Sequence, residues 1–129
     1  LMRKQKWGRV VTIASIQGRE GTGRAWYAMS KSAEITLMKT LARNAELVRD
    51  GLTFNSIAPG TVFTEDNDWG RFKIENPQKF FSVIHEKCPL GRPGKPEEIA
   101  SVVTFVCSEP ASFMNGACLV VDGGESRGL

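Results

Sequence analysis

The sequence predicts an α/β protein in which helices join three strands into a parallel sheet, and three observations carry that expectation. Arg9-Val10-Val11-Thr12-Ile13-Ala14-Ser15 is a β-branched run of the kind buried on both faces in a parallel strand. Residues 25–48 are rich in Ala, Leu, Met and Lys and long enough for several helical turns. Two later apolar runs, over 52–58 and 117–122, each close on a turn signal, Pro59-Gly60 and Gly123-Gly124. Strand, helix, strand, lid and helix, strand is a βαβαβ order, which calls for right-handed crossovers onto a parallel sheet.

Taken in order, residues 3–9 read as a helix end and exit turn, with basic side chains suited to the negative end of a helix dipole. The run over 9–15 is expected to be a central strand. Gly18, Gly21 and Gly23 mark a loop, and the helix over 25–48 aligns Ala33, Leu37, Leu41 and Ala45 along one face. Gly51 punctuates its end, and 52–58 is the second strand. Residues 62–88 are charged, irregular and studded with Trp69, Phe72, Phe80 and Phe81, the pattern of one or two short helices forming a lid. These aromatics face an apolar substrate or pack the lid. A Gly/Pro-rich connector leads to Pro96-Glu97-Glu98, a proline and two acids in the first turn of a helix over 96–107. The strand over 117–122 ends the pattern.

Composition narrows the class. With 129 residues, 41% hydrophobic, 24% charged and a formal net charge of +3, the chain has room for a single domain and the make-up of a globular protein. That balance argues against a disordered tail, a collagen-like repeat, a disulfide-stapled mini-protein or a membrane partner. Basic residues cluster only at Arg3, Lys4, Lys6 and Arg9, a solvated surface rather than a nucleic-acid patch. Cys88, Cys107 and Cys118 lack metal-ligand spacing; Cys107 and Cys118 lie in apolar runs, where buried free thiols are expected, and a cytoplasmic location follows. His85 lacks the companions a metal site needs, so no metal is expected. Residues 10–16, broken by Thr12 and Ser15, do not make a signal peptide. Because the chain starts at Leu1 and enters a strand within a few residues, it is expected to be a piece of a longer polypeptide, or to rely on a partner that covers the first strand's open edge.

The chemistry concentrates at the carboxyl ends of the first two strands, where ligands bind in such sheets. Tyr27 and Lys31 are four residues apart near a helix start and so share a face. A free phenol ionises near pH ~10, and a neighbouring ammonium favours the phenolate, which makes a tyrosine usable as a general acid or base. Ser15, at a strand end, adds a hydroxyl beside that helix start. Pro59-Gly60 closes the second strand at the same sheet edge.

These stretches resemble, in family order, the C-terminal half of the short-chain dehydrogenase/reductase family, and in particular its members similar to 3-oxoacyl-acyl-carrier-protein reductases. Residues 8–18 look like the strand that carries the family's serine, and Tyr27-Ala28-Met29-Ser30-Lys31 looks like its Y-x-x-x-K helix. Asn55-Ser56-Ile57-Ala58-Pro59-Gly60, residues 89–100 and Val121-Asp122-Gly123-Gly124 continue the series. The resemblance implies half of a Rossmann-like, doubly wound parallel sheet: three strands with helices and a substrate lid, forming one incomplete domain over 1–129. The dinucleotide-binding half, with its Gly-rich turn, and the family's catalytic asparagine would lie upstream of Leu1. Gly18, Gly21 and Gly23 have the wrong order for that turn.

On this resemblance, Tyr27 exchanges the proton of an alcohol or carbonyl, Lys31 lowers its pKa and holds the nicotinamide ribose, and Ser15 binds the substrate oxygen. Pro59, Gly60, Val62 and Thr64 match positions at the nicotinamide end of NAD or NADP. Gln17 and Trp26 face substrate or serve packing and solvent. The implied cofactor belongs to the full-length protein, with none necessarily bound by this chain alone. A homodimer or homotetramer is the implied assembly, or a chain that supplies the N-terminal half. The competing expectation is an inactive fragment that serves only oligomerisation.

Overall fold

The computed structural model describes residues 1–128. Its core is a parallel sheet in the order β1-β2-β3, built from Gly8–Ile13 (β1), Leu52–Pro59 (β2) and Cys118–Val121 (β3). Gly8 pairs with Leu52 and Ile13 with Ile57, while Ser56 pairs with Cys118 and Pro59 with Val121. Every residue of β2 is buried, as its place between two strands requires. By contrast β1, a strand of central composition, is half-buried and lies at the edge among the described residues, the open edge expected of this length of chain. Its β-branched composition is that of a strand paired on both sides, but β2 is the neighbour it has among the described residues.

Before β1, a single helical turn, Met2–Gln5 (α1), ends at Lys6 in the left-handed conformation, and Asp50 accepts hydrogen bonds from Arg3 and Lys6. β1 stops two residues short of Ser15 because Ser15 caps a helix instead. Its Oγ accepts from the Gln17 amide at 3.1 Å and opens Ile16–Glu20 (α2). The expected glycine loop is therefore partly helical. Gly18 lies inside α2, where a Cβ would come within 2.5 Å of the Lys31 backbone, so glycine permits the close approach of α2 to the long helix.

That long helix divides in two. Ala25–Leu41 (α3) ends in a turn, and the Asn44 side chain, accepting from the Glu46 and Leu47 amides, starts Ala45–Arg49 (α4). The anticipated stripe of Ala33, Leu37, Leu41 and Ala45 is largely exposed, and α3 instead buries Ala28 and Met38, with Met38 against Leu52 and Phe54. The segment expected to form a lid folds as two helices, Asp68–Glu75 (α5) and Pro77–Lys87 (α6). Phe80, buried, gathers Phe63, Trp69, Phe72 and Phe81 within 5.4 to 6.3 Å of its ring, so the aromatics pack the lid. Pro96–Val106 (α7) lays Ile99 and Val106 on Ile57 of the sheet. A short 3-10 turn, Glu109–Ala111, follows.

The thiols also depart from expectation. All three are free, but Cys107 and Cys118 are partly exposed, and Cys88, at the end of α6, is the buried one. Apolar neighbours in sequence do not guarantee burial at a helix end or beside an open sheet edge.

Candidate active site

The carboxyl ends of β1 and β2 open into a cleft of about 790 Å³. The expected residues Ser15, Tyr27, Lys31, Pro59, Gly60, Val62 and Thr64 all line it. Gln17 and Trp26 do not. Gln17 sits against Gly23 on α2, and Trp26 is exposed, its indole edge-on to the Tyr27 ring at 6.0 Å.

The sequence places the first three side chains by simple means. Ser15 is held by its own capping bond, and because its Oγ there accepts, its hydroxyl proton stays available to donate to an oxygen in the cleft. Tyr27 and Lys31 stand one helical turn apart, with the Lys31 ammonium 5.9 Å from the phenol ring centre. Lys31 donates to the Ile13 carbonyl at 2.8 Å, which ties α3 to the end of β1, and to Glu34 Oε1 at 2.8 Å. An ammonium has three N–H donors, so one remains for a ligand.

The second wall begins where β2 ends. The Gly60 amide continues the sheet by donating to the Val121 carbonyl at 3.1 Å, and a Cβ there would meet Asp122 and Glu125 at 2.7 Å. Glu125 accepts from the Thr61 amide at 2.6 Å and from its hydroxyl at 3.0 Å. Val62 bridges to Gly94. The Asn67 amide group donates to the Val62 carbonyl at 2.9 Å, while its Oδ1 caps α5 by accepting from Gly70.

Several cleft residues escaped the sequence reading. Asn67 and Trp69 come from the lid, and Pro96, Ile99, Ala100, Val103 and Thr104 form a stripe on α7. The spacing of that stripe, three or four residues at a time, was the available signal. Glu125 gave none, because its partner Thr61 is 64 residues away.

Cleft electrostatics are simple: Tyr27 and Lys31 are the ionisable residues among those lining it. Beyond it, Asp122 at the end of β3 is held below the usual carboxylate range: burial opposes its ionisation, but hydrogen bonds from Ser126 and the Gly124 amide outweigh that. Among the described residues, no group of three or more His, Cys, Asp or Glu side chains converges as a metal site would require, and no helix is long and apolar enough to cross a membrane.

A parallel sheet with its cleft at the carboxyl edge puts the chain among doubly wound, Rossmann-like α/β proteins. The family described as enoyl-(acyl carrier protein) reductase matches residues 1–126. The 3-oxoacyl-[acyl-carrier-protein] reductase FabG of Aquifex aeolicus is 41% identical over 124 residues, which cover 95% of this chain and 47% of that protein. The acetoacetyl-CoA reductase of Shinella zoogloeoides is 36% identical, covering 96% and 49%. Among solved structures, a 3-oxoacyl (acyl-carrier-protein) reductase of Agrobacterium tumefaciens with NADP bound superposes with a TM-score of 0.87 at 33% identity, over 95% of this chain and 46% of that one. The L-sorbose reductase of Gluconobacter frateurii, complexed with NADPH and L-sorbose, gives 0.86 at 31% identity, over 99% and 51%. The chain belongs to the short-chain dehydrogenase/reductase family. It spans about half the length of the curated relatives it matches.

Proposed function

We propose that this chain is the catalytic and substrate-binding half of an NAD- or NADP-dependent oxidoreductase that interconverts an alcohol and a carbonyl. The observation that carries the reading is the single cleft lined by Ser15, Tyr27 and Lys31 on one side and by Pro59, Gly60, Val62 and Thr64 on the other. The names of the relatives, reductases of 3-oxoacyl chains, acetoacetyl-CoA and L-sorbose, support carbonyl reduction as the shared chemistry.

The residues present fit a nicotinamide cofactor: the cleft is large, it opens at the sheet's carboxyl edge, and Lys31 keeps a free donor there. When bound, the nicotinamide supplies or accepts the hydride. In reduction, the Tyr27 phenol gives its proton to the carbonyl oxygen as charge develops there; in oxidation, the phenolate takes the proton from the alcohol. The Lys31 ammonium stands 5.9 Å from the centre of that phenol ring, a positive charge beside the group that exchanges the proton, and its remaining N–H serves a ribose hydroxyl. Ser15 donates to the substrate oxygen and so fixes it beside Tyr27. Pro59, Gly60, Val62 and Thr64 line the cofactor's side of the cleft.

The assembly belongs to the proposal too. Trp26, Met29 and Leu37 project from α3 with more than half their surface exposed, and Ala33 lies among them without a charged residue between. A charge-free apolar stripe suits self-association of a second copy about a two-fold axis. Three free thiols suit a reducing, cytoplasmic setting.

The test is Tyr27→Phe in the protein together with its nucleotide-binding half, assayed for NAD(P)H-dependent carbonyl reduction. Turnover is expected to fall by about 10²–10⁴-fold, the usual worth of a positioned acid, while NAD(P)H still binds. A variant with full turnover would overturn the reading.

A further inference from the structure

We propose that Glu34 is a positioning residue of this site: it holds the Lys31 ammonium against the end of β1 and thereby limits how strongly that charge acts on Tyr27. The proposal rests on the reading of Tyr27 and Lys31 given above and goes beyond it by adding a fourth side chain.

Tyr27, Lys31 and Glu34 stand at i, i+4 and i+7 of α3, two turns along one helical face. Lys31 is clamped from two directions, by the Ile13 carbonyl and by Glu34 Oε1, both at 2.8 Å. Its side chain is 20% exposed and that of Glu34 34%, so the pair is more shielded than an ordinary surface pair. The consequences are geometric and electrostatic. With one N–H on β1 and one on Glu34, the ammonium has a single orientation left for the third. With a carboxylate at contact distance, the local charge beside Tyr27 is close to neutral.

Among the described residues, Glu34 is the ionisable side chain that Lys31 bonds; Arg24, the N-cap of α3, is a cation three residues before Tyr27 and cannot take that place. Of the elements packed on α3, β2 carries no charged residue, and β1 carries Arg9, whose guanidinium donates to the Gly8 and Gly51 carbonyls at the far end of the strand. α2 carries Arg19 and Glu20; Glu20 Oε1 accepts from the Arg127 and Gly128 amides, and Arg19 Nη1 donates to the Gly128 carbonyl at 3.5 Å.

The near-ultraviolet phenolate absorbance that Tyr27→Phe removes from the protein together with its nucleotide-binding half reports Tyr27 alone, whatever tyrosines that half carries, and needs no cofactor or substrate. We would titrate the full chain, the Glu34→Gln and Lys31→Met variants and the double variant, each checked for native helicity by circular dichroism. Seven residues at about 1.5 Å each put Glu34 about 10 Å from Tyr27. At an effective dielectric between about 80 and 20 the loss of its direct field alone lowers the ionisation midpoint by about 0.3 to 1.2 pH units, and release of the Lys31 ammonium from its clamp is expected to add to that shift.

Lys31→Met is expected to raise the midpoint, and the Glu34→Gln shift is expected to be larger with Lys31 present than in the Lys31→Met background. An unchanged or raised midpoint in Glu34→Gln overturns the proposal, as do equal shifts in the two backgrounds, which would leave Glu34 a direct charge and nothing more. An unchanged midpoint in Lys31→Met overturns instead the reading of Lys31 as the group that acts on Tyr27. Should either substitution cost the fold, Glu34→Ala or Lys31→Gln carries the same test.

Discussion

The two walls of the cleft are held by different means. On the β1–α3 wall, Ser15, Tyr27 and Lys31 are fixed by backbone: a helix cap, a strand carbonyl and the approach of α2 to α3 across Gly18. The body of the lid wall is fixed by side chains, four aromatic rings gathered on Phe80, and only its root is closed by backbone, at the Val62–Gly94 bridge. Backbone contacts fix positions closely and tolerate little change, which suits groups that move protons. Aromatic contacts bind the lid helices mainly to one another, which is compatible with the opening expected of a substrate lid.

The largest effect expected from this contrast is in the lid. Phe80→Ala removes the ring at the centre of the cluster and is expected to cost about 3–5 kcal/mol, read as a lowered urea midpoint. Hydrogen exchange should show α5 and α6 losing protection while β2 keeps it. If the β1–α3 wall loosened equally, the two walls would be one cooperative unit and the distinction would fail.

Gly18→Ala probes the other wall. Its methyl would meet Lys31 backbone and Cβ, so α2 must move and take the Ser15 cap with it. A cost of about 1–3 kcal/mol is expected from overpacking, with lid protection unaltered. A neutral Gly18→Ala would mean that α2 adjusts freely and that Ser15 is not held as argued.

These contrasts also explain which parts of the molecule were legible in the sequence. β1 was visible as a β-branched run, β2 and β3 as apolar runs that close on Pro59-Gly60 and Gly123-Gly124, and the Tyr27–Lys31 pair because helical spacing is local. α2 was hidden: three glycines in six residues read as a loop, and only the packing of α3 on Gly18 turns that segment into a helix. The break after Leu41 was hidden because Ala42 and Arg43 are good helix formers, leaving Asn44 as the one cap signal. The open edge of β1 was legible in the order of the elements and not in its composition, which is that of a strand paired on both sides. Lys31–Glu34 is an i, i+3 pair plain in the sequence, but its bond to the Ile13 carbonyl, which gives the pair its place in the site, required the fold.

The root of the lid wall is held by Glu125, which follows β3 and grips Thr61 through both amide and hydroxyl. Glu125→Ala is expected to cost about 1–2 kcal/mol, since each lost bond to a carboxylate is partly replaced by water. Its diagnostic consequence is faster hydrogen exchange at Thr61 and Val62 with Ser15 and Gln17 unaffected. Simultaneous loosening on both sides would show that the segment after β3 supports the whole cleft rather than the lid's root.

The smallest expected effect is an acid one, at the hinge between the lid and α7. Glu98 receives two hydrogen bonds from Arg92 and one from the Lys95 amide, and the Arg92 guanidinium foremost, then that amide, hold its carboxyl down from 4.5 to about 2. A carboxyl depressed on folding stabilises the native state fully above its unfolded value, and that contribution is lost as pH falls through the folded one. The stability it supplies should therefore fade between about pH 4.5 and 2, and Glu98→Gln should flatten the pH dependence in that window while leaving stability at neutral pH only slightly lowered. Since Arg92 and Glu98 are both substantially exposed, salt should weaken the effect. An acid transition unchanged in Glu98→Gln would assign the acid sensitivity elsewhere, with Asp122 at the end of β3 the next carboxyl to test, and would separate the hinge of the lid from the electrostatics that hold the sheet's edge.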